Sequence, residues 1–234
     1  METRPGHFVS VIIPALNEEV PIAGVVREVL ATKIPGEVIV VDNECTDRTA
    51  ERAAKAGARV VGAQRGYGRA CAMGARMVSP DCEVLVFLDG DGSDCAELMA
   101  RLVEPILADT QDFVIGSRTR GEREPGSMNA TQIFAGRLAG WLIRPLYGVN
   151  YTDMGPFRAI RRSAFEKLGM KETTYGWNLE MQMRAARAGL RILEVPVNHR
   201  CRKGGESKVS GTLRGTLVAG TRIIATLFRV AAGR

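Results

Sequence analysis

Three carboxylates stand within six residues of this 234-residue sequence, in the run Asp89-Gly90-Asp91-Gly92-Ser93-Asp94. The interleaved glycines permit a tight turn that can aim several oxygens at one point. Hard oxygen donors of this kind suit Mg2+ or Mn2+. An ion held there could bridge diphosphate oxygens and neutralise charge on a departing nucleoside diphosphate. An EF-hand loop also opens with such acids, but no helix precedes these, and Glu97 comes too early for its closing ligand. A solvated acidic turn is the plainest competing reading. The setting argues against it: the acids follow the apolar run Glu83-Val84-Leu85-Val86-Phe87-Leu88. A second acid, Asp42, ends the similar run Glu37-Val38-Ile39-Val40-Val41.

Positive charge gathers at the other end of the chain. From His199 to Arg234 there are eight basic residues, Arg200, Arg202, Lys203 and Lys208 first among them, and one acid, Glu206. The whole chain carries only +6, so the remainder is close to neutral. Such a segment suits a phosphorylated substrate, an anionic membrane surface or nucleic acid, or is a solvated tail. A phosphate monoester is already anionic at neutral pH (second pKa roughly 6). It needs cations to hold it, which arginine forks do well, more than a base to activate it. A sugar hydroxyl would need the base. His199 is either that base or a structural histidine. No basic face interleaved with aromatics supports nucleic acid as a partner.

Other local signals are weaker. Gly66-Tyr67-Gly68-Arg69-Ala70 lacks the lysine and third glycine of phosphate loops, and reads as a tight turn before a helix. Five cysteines, an odd count without CxxC spacing, argue against a disulfide framework or zinc site and for a reducing cytoplasm. No apolar signal segment opens the chain, and no apolar run reaches the roughly 18 residues of a membrane span.

The elements that must position these residues follow from periodicity. Continuous apolar strands are expected at Phe8 to Pro14, Glu37 to Asp42 and Glu83 to Asp89, with shorter ones at Arg59 to Ala63, Asp112 to Ser117, Pro156 to Ile160 and Leu190 to Val197. Helical patterns run from Asn17, a candidate N-cap, to about Thr32, and over Asp47 to Gly57, Gly68 to Val78, Cys95 to Leu107, Gln132 to Tyr147 and Trp177 to Ala188. This alternation predicts an α/β fold with a mostly parallel sheet covered on both faces. Ligands of such sheets bind outside the carboxyl ends of the strands, where Asp42 and Asp89 fall. Arg118 to Asn129 is polar and glycine-rich and reads as a mobile loop. Trp141 and Trp177 read as packing residues. Leu213 to Val230 forms an amphipathic pattern with Arg214, Arg222 and Arg229 on its polar side. It suits either a membrane interface or a protein surface.

Taken in order, Val11-Ile12-Ile13-Pro14-Ala15-Leu16-Asn17-Glu18, Ile39-Val40-Val41-Asp42 and Leu88-Asp89-Gly90-Asp91 resemble family 2 glycosyltransferases of the GT-A fold. Ile115-Gly116-Ser117-Arg118, Thr152-Asp153-Met154-Gly155-Pro156-Phe157-Arg158, Gly176-Trp177-Asn178-Leu179-Glu180 and Gly205-Glu206-Ser207-Lys208 are similar to the polyprenyl-phosphate, dolichol-phosphate mannose synthase-like branch. The resemblance covers about residues 8 to 212. It implies a GT-A domain over 1–212, followed by a basic amphipathic helix over 213–234. It also implies inverting, metal-dependent transfer of a hexose from UDP-glucose or GDP-mannose to a polyprenyl phosphate.

Carried over, Pro14, Asn17, Glu18 and Asp42 line the nucleoside pocket. Asp91 is the main ligand of Mg2+ or Mn2+, with Asp89 beside it. Arg118, Arg158, Arg202 and Lys208 face the diphosphate or the acceptor phosphate, and Glu180 faces the acceptor or solvent. Where the family commonly has Asp-Asp-Gly-Ser, this chain has Asp42-Asn43-Glu44-Cys45, which leaves the donor base open. A soluble phosphorylated acceptor and a nucleotidyltransferase reaction are the alternatives. The expected setting is the cytoplasm, with peripheral contact to a membrane, and a homo-oligomer is compatible with it.

Overall fold

The computed structural model describes residues 8–204 and Arg229. Seven strands form one sheet in the order β3-β2-β1-β4-β6-β5-β7. They are β1 (Phe8–Ala15), β2 (Glu37–Asp42), β3 (Arg59–Gly62), β4 (Cys82–Phe87), β5 (Phe113–Ser117), β6 (Arg158–Arg161) and β7 (Ile192–Pro196). The β3-β2-β1-β4 half is parallel throughout. β6 runs antiparallel between β4 and β5, while β5 and β7 are parallel. The sheet is the mostly parallel one expected, with one reversed strand inserted.

The central strands bury both faces. Val11 and Ile13 of β1 enter one apolar cluster with α1 (Ile22–Ala31) and α4 (Met99–Leu107). Ile12 points the other way, into a cluster with α3 (Tyr67–Arg76) and α7 (Trp177–Arg187). Side-chain alternation along a strand forces this division, and it explains why these strands read as unbroken apolar runs. The remaining helices are α2 (Thr49–Lys55), α5 (Ala130–Tyr147) and α6 (Arg162–Leu168).

Three expectations need correction. The first helix does not begin at Asn17. Asn17 takes a left-handed backbone (φ 53°), and α1 starts at Ile22 with Pro21 before it and no side-chain cap. The chain makes an extra turn there before entering the helix. The helix α6 was not anticipated; seven residues after a short strand give little periodicity to read. Trp177 is buried as a packing residue, stacked edge-on to Phe87, but Trp141 is 72% exposed. Lys208, Leu213 to Val230 as a helix, and the 212/213 boundary lie outside the described residues.

Candidate active site

Topology brings the predicted residues to one sheet edge. β1, β2, β4 and β5 all point their carboxyl ends that way, and the reversed β6 begins there. Asp42 ends β2 beside Ala15 of β1. The segment after β4 lies on the other side of β1, with Leu88 N–H bonded to Ile12 C=O. Two strand spacings, roughly 10 Å, therefore separate the Asp42 and Asp89 sides, with Pro14 and Ala15 as the floor between them.

The Asp42 side is a braced double loop. Asn17 Oδ1 accepts from Thr46 N–H at 2.8 Å, and Glu18 N–H donates to Thr49 Oγ1 at 2.8 Å. Asp42 Oδ1 accepts from Cys45 N–H at 2.8 Å, and Asn43 Oδ1 accepts from Gly66 N–H at 2.9 Å. Asn17 thus caps a neighbouring loop instead of a helix. Glu44 sits at φ 61°, a left-handed conformation that L residues other than glycine adopt at a cost. It occupies the place of the glycine in the family's common Asp-Asp-Gly-Ser. Its side chain is exposed, so Glu44→Gly is expected to stabilise the fold by about 1 kcal/mol. Thermal unfolding should show this as a rise of about 2–4 °C in Tm; a fall in Tm would show that the loop carries no strain.

The acidic loop is compact. Asp91 Oδ1 accepts from Ser93 N–H at 2.9 Å and Ser93 Oγ at 2.6 Å. Asp94 Oδ2 accepts from Asp89 N–H at 3.0 Å, and Tyr67 Oη donates to Asp89 Oδ1 at 3.2 Å. Gly92 supplies the left-handed turn (φ 78°), so its lack of Cβ has a use here. Burial, then Asp91 and Asp94, push the Asp89 carboxyl well above the ordinary carboxylate range. Burial and Asp91 lift Asp94 to about 7. The phenol of Tyr67 is held protonated by burial and by Asp89, which suits its role as donor.

Residues 200–203 strap across this loop. Arg200 N–H bonds Ser93 C=O, and Lys203 N–H bonds Asp91 C=O at 3.0 Å. The Arg202 guanidinium reaches Glu18 Oε1 at 2.9 Å and lies 3.8 Å from Asp91 Oδ2, so it bridges the Glu18 side and the acidic loop. His199 is buried, with Nδ1 3.9 Å from Asp94 Oδ1. Neither atom has a hydrogen-bond partner. Burial, then the Arg118 charge, lowers the His199 imidazole to about 4 and keeps it neutral.

Opposite stands an ion pair that the sequence only half disclosed. Arg118, just past β5, donates to Asp153 three times: N–H and Nε to Oδ2 at 2.9 and 2.7 Å, and Nη2 to Oδ1 at 2.8 Å. Asp153 is 1% exposed. Glu194 of β7 in turn holds Thr152 by its N–H and hydroxyl at 2.9 and 2.8 Å. Asp153 lies in a motif quoted above without a role. Only the reversed strand β6 brings it alongside Arg118.

Two other predicted residues are engaged elsewhere. Arg158 is 0% exposed. Its guanidinium is bonded to the carbonyls of Gly155 and Asn178 and stacks over the Phe113 ring. It ties down the 153–158 turn instead of facing the cleft. Burial lowers it to about 10. Glu180 is 0% exposed, so it does not face solvent. It accepts from the Lys171 and Glu172 N–H groups at 3.0 and 2.6 Å and pairs with Arg184.

The donor set fits a divalent ion. Asp89 and Asp91 offer hard oxygens, Asp94 Oδ1 and His199 Nδ1 are buried and unbonded, and crowding raises Asp89 and Asp94 in the way a cation would relieve. Among the described residues no three acids, histidines or cysteines converge as a finished cage. That suits Mg2+-type sites, which take one or two carboxylates and complete their shell from substrate phosphates.

Comparison with known proteins agrees with this geometry. A sequence model described as "Glycosyl transferase family 2" matches residues 10–169. An uncharacterized glycosyltransferase of Mycobacterium tuberculosis is 36% identical over 217 residues, covering 92% of this chain and 95% of the relative. A dolichyl-phosphate hexose transferase of Haloferax volcanii is 33% identical over 213 residues, covering 89% and 90%. Among solved structures, glucosyl-3-phosphoglycerate synthase of M. tuberculosis in complex with phosphoglyceric acid superposes with a TM-score of 0.76 at 25% identity, covering 97% of this chain and 81% of the other. On these grounds, and with the acidic loop at the carboxyl edge of its sheet, the chain belongs to glycosyltransferase family 2.

Proposed function

We propose that the enzyme moves a hexose with inversion from a nucleotide-sugar to a polyprenyl phosphate, with Mg2+ or Mn2+ at the acidic loop. The observation that carries this is the arrangement of charge: Asp89 and Asp91 on one side, with Arg118, Arg202 and Lys203 within the same edge. An undecaprenyl-phosphate mannosyltransferase of Micrococcus luteus, 35% identical over 144 residues and matching 58% of this chain and 57% of its own length, supports the lipid acceptor, as does the dolichyl-phosphate relative.

Each residue has an assigned task. Pro14, Asn17, Glu18 and Asp42 form the nucleoside floor. Asp91, with Asp89 beside it, would hold the ion, whose positive charge would favour departure of the nucleoside diphosphate. Arg202, tied to Glu18, closes the diphosphate side, and the family resemblance assigns Lys208 the same task. Arg118, aimed by Asp153, holds the acceptor phosphate. That phosphate already carries nucleophilic charge, so no side chain need remove a proton from it. The neutral His199 fits this account, since it does not have to cycle between protonation states.

A soluble phosphorylated acceptor is the second reading. It is favoured by the fold's likeness to a synthase crystallised with phosphoglyceric acid. Two measurements separate the possibilities. Thermal shifts with UDP and GDP, each with Mn2+, are expected to show stabilisation by one of them, about 2.7 kcal/mol at a ligand concentration 100-fold above Kd. No shift with either would remove the donor reading. Product formation on a short polyprenyl phosphate against small phosphorylated acids then decides the acceptor.

A further inference from the structure

Four of the eight exposed large apolar side chains among the described residues lie on α5: Phe134, Leu138, Trp141 and Leu146. Phe134 is 65% exposed and Trp141 72%. At about 100° per residue, Phe134, Leu138, Trp141 and Pro145 fall in one wedge about 60° wide. Gly136, Ala139, Gly140 and Ile143, all buried, fall opposite. Arg137 and Arg144, both exposed, lie together on one flank of the apolar stripe. The helix contains no acid.

The buried face explains the exposure of the other. Gly140 abuts the Tyr151 carbonyl, and a Cβ on Gly136 would meet the Asp153 Cα at 3.5 Å. The helix therefore backs directly onto the segment that holds Arg118. Nothing among the described residues covers its outer stripe, and an N-terminal capping box (Asn129 with Gln132) fixes it as a formed helix.

We infer that this outer face of α5 docks on the surface of an anionic lipid bilayer, setting the Arg118–Asp153 pair about one helix diameter from the docked surface. The inference rests on the lipid-acceptor reading above. Tryptophan and phenylalanine beside arginines are what an interfacial helix uses: rings enter the headgroup boundary and cations meet anionic headgroups. A second copy of this chain is a poorer complement. A two-fold contact would oppose this face to itself, setting cations without carboxylates against each other.

The test uses the full chain and vesicles of phosphatidylcholine alone or mixed with phosphatidylglycerol. The protein is expected to co-sediment with the anionic vesicles and only weakly with the neutral ones. A Phe134→Ser/Trp141→Ser double variant should lose about tenfold or more in partitioning, and Arg137→Ala/Arg144→Ala should lose the preference for anionic lipid. Both pairs are exposed, so unchanged thermal unfolding is expected. Undiminished vesicle binding by the double variant overturns the inference, as does absence of binding by the parent chain. So does a concentration-dependent dimer, abolished by the double variant, in place of vesicle binding. Transfer to a short water-soluble polyprenyl phosphate without vesicles should be unchanged by the double variant. If the parent chain performs no such transfer yet binds vesicles through α5, the acceptor reading fails and the docking surface stands.

Discussion

Asp91→Asn is expected to lower kcat/KM by about a thousandfold or more, close to the loss from Asp91→Ala. The two variants do different things to the loop. Asp91 Oδ1 accepts two bonds from Ser93, and an asparagine oxygen can still accept them. Alanine cannot. The turn should therefore survive in the asparagine variant while one full negative charge is lost. If charge at this point is what matters, both variants fail alike in activity and both lose the Mn2+-dependent part of the nucleotide thermal shift. If instead the asparagine variant keeps more than about a tenth of the activity, Asp91 serves the loop's shape and the ion's place must be sought at Asp89, Asp94 and His199. Steady-state transfer assays at saturating Mn2+, with the chelated enzyme as baseline, make the comparison.

The acidic loop is unusually legible in the sequence. An apolar strand buried on both faces reads as an unbroken run, and the polar residue that ends it must sit at a sheet edge. That rule alone carries Asp42 and Asp89 to one edge. It also yielded the parallel half of the sheet, where each strand is followed by its own helix. Legibility fell wherever a residue's role depended on an element reversed or displaced in space. Asp153 meets Arg118 only because β6 runs backward between β4 and β5, and no periodicity announces that. Arg158 looked like a phosphate ligand, but a strand position between two buried neighbours carries its guanidinium inside, where carbonyls of Gly155 and Asn178 satisfy it. Asn17 looked like a helix cap because its side chain suits one. It does accept a backbone N–H, but that of Thr46 in the 43–48 loop. Trp141 reads as a packing residue because α5 has apolar residues on two faces, and only contact with Tyr151 and Asp153 shows which one is inside.

Asp153→Ala is expected to cost about 3 kcal/mol of stability and most of the activity. The carboxylate is 1% exposed and takes three bonds from Arg118. Removing it leaves a guanidinium, itself only 14% exposed, without its counter-charge. Breaking a buried pair from one side costs about 3–5 kcal/mol, and the residual exposure of Arg118, which lets water reach its guanidinium, argues for the lower end. At about 2–4 °C per kcal/mol for a chain of this size, Tm should fall by roughly 10 °C.

The pH dependence gives an independent check. Burial works to raise the Asp153 carboxyl, but Arg118 outweighs it and holds the group below its ordinary range. A depressed carboxylate binds fewer protons folded than unfolded. Its contribution is therefore complete above the unfolded value of about 3.9 and fades as pH falls through the folded value. The stability gap between the parent chain and Asp153→Ala should be constant from neutral pH to about 5 and narrow below 4. A gap independent of pH would mean that the variant loses packing, not an ion pair. Activity separates an aiming role from a structural one. Arg118 would be freed, not removed, so acceptor KM should rise more than kcat falls, and Arg118→Lys, which keeps the charge but not the fork, should raise acceptor KM in the same way. If Asp153→Ala lowered kcat alone, Asp153 would be acting on the acidic loop instead of aiming Arg118.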